Sequence, residues 1–202
     1  MAGFVSPDLL PVVVLAAMIP LNAHVAWQER ASLDLRGAGW VSAARLAATP
    51  GGLLLWAIPD RSLGLFVGGA TLLAALVSLA APKFTPGRAA YLAAGVVTGL
   101  TETATGVGGP PLALVYQHRP PAELRSTVAL CFLVGEVASL GLLFATGQGE
   151  PGQLGWAAML LPALALGAWL SRLVHHRIDA GRMRFFVLAF AVVSGVILII
   201  GT

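Results

Sequence analysis

Seven apolar stretches leave this chain few folds to choose from. Six read as single spans, at 8–26, 40–58, 62–81, 126–146, 153–172 and 185–201. Each is close to the ~20 residues needed to cross a bilayer as an α-helix. The connections are short and carry most of the charge: QERASLDLRGAG, PDR, PKFTPGR, HRPPAELR, GQGEPG and RLVHHRIDAGRMR. Charged residues make up only 10 % of the 202, against about 25 % in a soluble domain. The expected fold class is all-α, a polytopic transmembrane helix bundle. Trp27, Trp40 and Trp156 fall at predicted helix ends, and Trp56 and Tyr116 lie near ends. Indole rings favour the membrane interface.

The seventh stretch, 89–117, is different. It reads AAYLAAGVVTGLTETATGVGGPPLALVYQ. Thr101, Glu102, Thr103 and Thr105 bring polar groups, and Gly106, Gly108, Gly109, Pro110 and Pro111 follow. Proline lacks an N–H and its ring clashes with the preceding turn, so a helix should break here. Irregular backbone at membrane depth survives only inside protein or beside a wet cavity. A wholly helical segment of this length would be roughly 42 Å long, long for one crossing and short for two. A re-entrant pair of half-helices fits.

Loop charges test the topology. If 89–117 crosses the membrane, Arg30, Arg36, Lys83 and Arg88 oppose Arg61, Arg119, Arg125, Arg172, Arg177, Arg182 and Arg184, four against seven. If it enters and leaves on one side, only Arg61 stands apart, one against ten. The positive-inside rule favours the second arrangement, with the basic loops in the cytoplasm. The same rule accounts for the net charge of +3 and the pI of about 9.8, so nucleic acid is not an expected partner. The expected partners are the lipid bilayer and a small anion, with homo-oligomer formation left open. Met1–Pro7 lacks a basic region ahead of the first apolar run, and no cleaved signal peptide is expected. Eleven arginines against one lysine suggest a GC-rich bacterial genome and hence the bacterial inner membrane.

Displacing the chain by 116 residues lays Gly39-Trp40 on Gly155-Trp156, Gly51 on Gly167, Arg61 on Arg177 and Val77-Ser78 on Val193-Ser194. Identity is low, but the helix boundaries coincide. Three spans per repeat is an odd number, so the two halves should be inverted, and inverted repeats with broken helices at their interface are a transporter architecture. The expected organisation is 1–82, an incomplete first repeat, and 83–202, a second repeat with its broken helix at 89–117. The counterpart of that broken helix would precede residue 1, so the first re-entrant segment is expected to be missing. A chain without any repeat is the alternative.

The stretch GLTETATGVGGPPLALVYQHRPPAELRSTVALCFLVGEVASL resembles the second-repeat signature of the sulfite exporter TauE/SafE family of membrane permeases. The matching features are Gly95, Gly99, Gly106, Gly108, Gly109 and Pro110, then Pro120-Pro121, then Arg125-Ser126. SPDLLPVVVLAAMIPLNAHVAW and LDLRGAGW extend the likeness over nearly the whole chain, and it departs from the pattern in lacking an N-terminal Gly-rich segment. The resemblance implies a permease for small anions of the sulfite or organosulfonate type. The rival expectation is a non-transporting membrane subunit, an assembly factor or a degenerate permease fragment. No enzyme activity and no cofactor are expected: the sequence has no nucleotide loop, no metal-hydrolase motif and no Ser/His/Asp constellation placed to react.

Expected substrate contacts centre on the break. The half-helix beginning after Gly108-Gly109 should present N–H groups and a positive dipole end, and successive glycine amides can form an anion-binding concavity. Thr101, Thr103 and Thr105 could donate hydroxyls to an anion held by Gly106, Gly108, Gly109 and Pro110. Gly95 and Gly99 read instead as close-packing positions. Arg45, Glu102 and Glu136 fall inside predicted spans, where a charge costs roughly 3 kcal/mol unless paired or hydrated. Arg45 either reaches back to the interface or pairs with Glu102; Glu102 and Glu136 are the proton-coupling candidates, structural hydrogen bonding being the alternative for both. Asn22 and His24 point to different helix faces and make a poor shared site. Cys131 reads as a small buried hydrophobe. His175-His176, without a third ligand, reads as solvated interface, and no metal site is expected.

Overall fold

A computed structural model of the chain describes residues 10–55, 85–106 and 108–174, with isolated helical positions within 62–76 and 189–196. It contains helices and no strand among the described residues. In chain order these are α1 (Leu10–Gln28), a 3-10 turn (Arg30–Ser32), α2 (Leu35–Leu55), α3 (Arg88–Thr105), α4 (Gly109–Tyr116), α5 (Pro121–Ala145) and α6 (Pro151–Val174). The predicted spans at 62–81 and 185–201 lie outside this set apart from the isolated positions, as do Trp56 and His175-His176.

Among the described residues three segments are long and apolar enough to cross a membrane: Pro11–Gln28, Pro121–Ala145 and Pro151–Ser171. The last turns a largely apolar surface outward, with Trp156, Met159, Leu166 and Trp169 exposed, as lipid-facing helices do. Helices α2 and α3 are less apolar because they carry the interior's polar groups, Arg45, Thr49, Thr98, Thr101, Glu102 and Thr103, all buried. The two helices pack tightly through small residues. A Cβ on Gly99 would lie 2.6 Å from the Arg45 carbonyl oxygen, and one on Gly95 would overlap the Val41 carbonyl. Close backbone approach of this kind is what small residues at four-residue spacing permit.

Helix starts explain two shifted boundaries. Helix α2 begins five residues earlier than the expected 40, because Asp34 caps it. Gly37 N donates to Asp34 Oδ1 (2.9 Å) and Ala38 N to the Asp34 carbonyl (2.9 Å), satisfying otherwise free N–H groups. Helix α5 likewise starts at Pro121 rather than 126, since proline suits the first helical turn. Helix α1 runs on through Pro20.

The broken stretch is a hairpin. Helix α3 ends at Gly106, whose φ of +74° is left-handed and whose N–H donates to the Glu102 carbonyl (2.7 Å). Glycine adopts this conformation without a Cβ clash. Helix α4 then runs back along α3. Thr98 Oγ1 donates to the Gly108 carbonyl (3.1 Å) near the turn, and the Tyr91 and Tyr116 rings meet at the other end, 5.7 Å between centroids. Arg119 Nη2 donates to Tyr91 Oη (3.4 Å), Tyr91 Oη to Asp34 Oδ2 (3.1 Å), and Asp34 N to Thr127 Oγ1 (3.0 Å). These bonds gather the starts of α2, α3 and α5 and the finish of α4 at one end of the bundle. Glu29 and Arg125 pair at this end, joining the finish of α1 to the start of α5.

Candidate functional site

Arg45 lies ten residues into α2, roughly 15 Å from its start, and its side chain is 0 % exposed. It therefore does not reach back to the interface, because the cap at Asp34 lengthens the helix ahead of it. Its Nη2 forms an ion pair with Glu102 Oε2 of α3, and its Nη1 donates to the Cys131 carbonyl of α5 (2.6 Å). The Phe132 ring centroid lies 5.2 Å from its Cζ, a favourable cation–π distance. Gly135 makes the room: a Cβ there would overlap the guanidinium. Cys131 is buried, and what it contributes here is its backbone carbonyl.

Glu102 is 2 % exposed and sits against the start of α4. A Cβ on Gly108 would lie 2.9 Å from Glu102 Cβ and 3.1 Å from its Oε2. The Glu102 carboxylate thus stands beside the helix start, where a negative charge is favoured. That start is poorer in donors than the sequence suggested. Its first helical residue is Gly109, and Pro110 and Pro111 follow without N–H groups. A Cβ on Gly109 would meet nothing within 4 Å.

Glu136 of α5 is 3 % exposed. Asn22 Nδ2 of α1 donates to its Oε1 (2.7 Å), while its Oε2 has no hydrogen-bond partner among the described residues. Arg45 lies within electrostatic reach of Glu136, so Arg45, Glu102, Glu136 and Asn22 make one buried polar cluster drawn from α1, α2, α3 and α5, with one positive charge available to two carboxyls. Among the described residues no group of three or more His, Cys, Asp or Glu side chains is placed to share a metal ion.

The threonines are committed to local bonds. Thr101 Oγ1 donates to the Val97 carbonyl of its own helix (3.0 Å). Thr103 Oγ1 shares a hydrogen bond with Ser139 Oγ of α5 (2.8 Å). The Thr105 side chain lies outside the described residues. Sequence reasoning passed over Thr98, Ser139 and Gly135, and it gave Asn22 no partner. Thr98 and Gly135 were recognisable only as polar or small residues within apolar runs.

This arrangement, helices apolar and long enough to cross a membrane around a helical hairpin and a buried charge cluster, is that of a multi-pass membrane protein. The family model for sulfite exporter TauE/SafE matches residues 1–198, and the chain belongs to that family. No match was found among curated proteins or among solved structures.

Proposed function

We propose that the protein is a bacterial inner-membrane permease for small anions of the sulfite or organosulfonate type. Transport proceeds by alternating access between inverted halves, 1–82 and 83–202, with the basic loops in the cytoplasm. The observation that carries this reading is the buried Arg45–Glu102 pair beside the start of α4. An arginine enclosed in a membrane protein needs an anionic partner, and a planar guanidinium suits an oxyanion as well as a carboxylate. The incoming anion takes the place of Glu102 on Arg45, aided by the Gly108 and Gly109 amides and the positive end of α4.

The test is flux of sulfite, sulfoacetate and chloride into vesicles holding purified protein. Arg45→Gln should abolish flux of the transported anion while the protein remains folded by circular dichroism. Folded wild type that moves none of the three would overturn the proposal in favour of a non-transporting membrane subunit.

A further inference from the structure

A groove of about 520 Å³ runs between α1 and α6. Its α1 wall and mouth carry Asn22, His24, Gln28, Glu29 and Arg125, while the α6 wall is apolar apart from Ser171. Gln28, Glu29 and Arg125 place its mouth at the basic end of the bundle, beside the Glu29–Arg125 ion pair. Asn22 lies deeper along α1 and lines the groove, and its side-chain amide is bonded to Glu136. Behind that bond, Glu136 Oε2 is buried without a partner among the described residues.

We infer that this groove is an aqueous path for protons to Glu136, with the Asn22 amide as its inner stopper. The inference rests on the permease reading and adds its coupling ion. Among the described residues, few charged and titratable groups surround Glu136. Arg45 faces it from α2 and is itself paired with Glu102 of α3; α1 contributes the uncharged Asn22, with His24 in the groove wall, and Glu29 and Arg125 stand at the mouth. With both carboxyls ionised, the cluster holds two negative charges against one positive. A single proton on Glu136 restores neutrality, which low-dielectric surroundings favour. The step needs only water: the Glu136 carboxylate takes one proton from hydronium in the groove when Asn22 swings aside, and returns it to water in the reverse step. Binding of an anion to Arg45 displaces Glu102 and changes the charge that Glu136 faces, which links anion and proton.

Two measurements on the full chain separate this inference from the permease reading. In vesicles enclosing a pH-sensitive dye, wild type should move protons together with the anion. Glu136→Gln should lose the proton movement and make whatever anion flux remains insensitive to a pH gradient. Proton movement that survives in Glu136→Gln overturns the inference but leaves the permease reading standing; absence of any anion flux in wild type overturns the permease reading alone. Proton access itself is read by infrared spectroscopy, in which a buried carboxyl C=O band should shift on transfer to D2O and be lost in Glu136→Gln. Asn22→Ala should speed that shift and Asn22→Leu should slow it. A band unaffected by Glu136→Gln, or exchange rates unaffected by both Asn22 variants, overturns the inference whether or not anions are transported.

Discussion

Tyr116 packs against Tyr91, their rings tilted by 40°, so the finish of the broken segment returns to its start. The segment is a hairpin that begins and ends on one side of the bundle. This accords with the charge distribution of the loops, in which ten basic residues share a side only if 89–117 does not cross.

Thiol labelling in intact cells checks that topology. Gly87 and Pro120 flank the hairpin and are exposed, and Gln148 is exposed in the turn after α5. Gly87→Cys and Pro120→Cys should react with an impermeant reagent from one face of the membrane, and Gln148→Cys from the other. Reaction of Gly87→Cys and Pro120→Cys from opposite faces would contradict the hairpin.

Removing Arg45 should destabilise the protein more than removing its partner as well. Arg45→Ala leaves Glu102 buried beside no cation, a loss of about 3–5 kcal/mol. Adding Glu102→Gln should recover a substantial part, because the orphaned charge is gone. Thermal unfolding in detergent measures both. Equal melting temperatures for the single and double variants would mean that the pair is not coupled.

Packing along α2 and α3 makes a graded series. Gly99→Val drives a side chain into the Arg45 backbone, and overpacking of this kind costs about 1–3 kcal/mol. Gly109→Ala, with open space around the new methyl, should leave the melting temperature nearly unchanged. The same unfolding assay ranks them.

Gly108→Ala is the variant aimed at the site rather than the scaffold. The added methyl meets Thr98 Cγ2 at 2.8 Å and Glu102 Cβ at 2.9 Å, so the Glu102 carboxylate must move relative to Arg45. Anion flux should fall by more than any loss of folded protein explains. Flux per folded molecule equal to wild type would argue against a role for this contact.

Much of the architecture was legible because it depends on local pattern. Runs of apolar residues marked the helices, and Gly106 through Pro111 marked the break, since glycine and proline act on the backbone where they stand. The start of α2 was misplaced because the cap is a short polar signal, Asp34 followed three residues later by Gly37, at the edge of an apolar run. That error mattered for Arg45, which then counted as close to the interface. The Asn22–Glu136 bond was out of reach for a different reason. It joins positions on α1 and α5 whose meeting is set by tertiary packing, and no helical spacing encodes it. Thr101 and Thr103 were read as free hydroxyls because sequence shows a donor without showing whether a backbone carbonyl or Ser139 already receives it.

Pro110 and Pro111 carry a consequence for dwell time. A helix start with its full complement of amides grips any oxyanion, and a tightly gripped cargo leaves slowly. Two of the first three residues of α4 lack an amide N–H, so under the proposed function retention would fall mainly to Arg45, with Glu102 competing for it on every visit. A carrier turns over only as fast as it empties, and under that proposal these prolines would keep the resting place shallow.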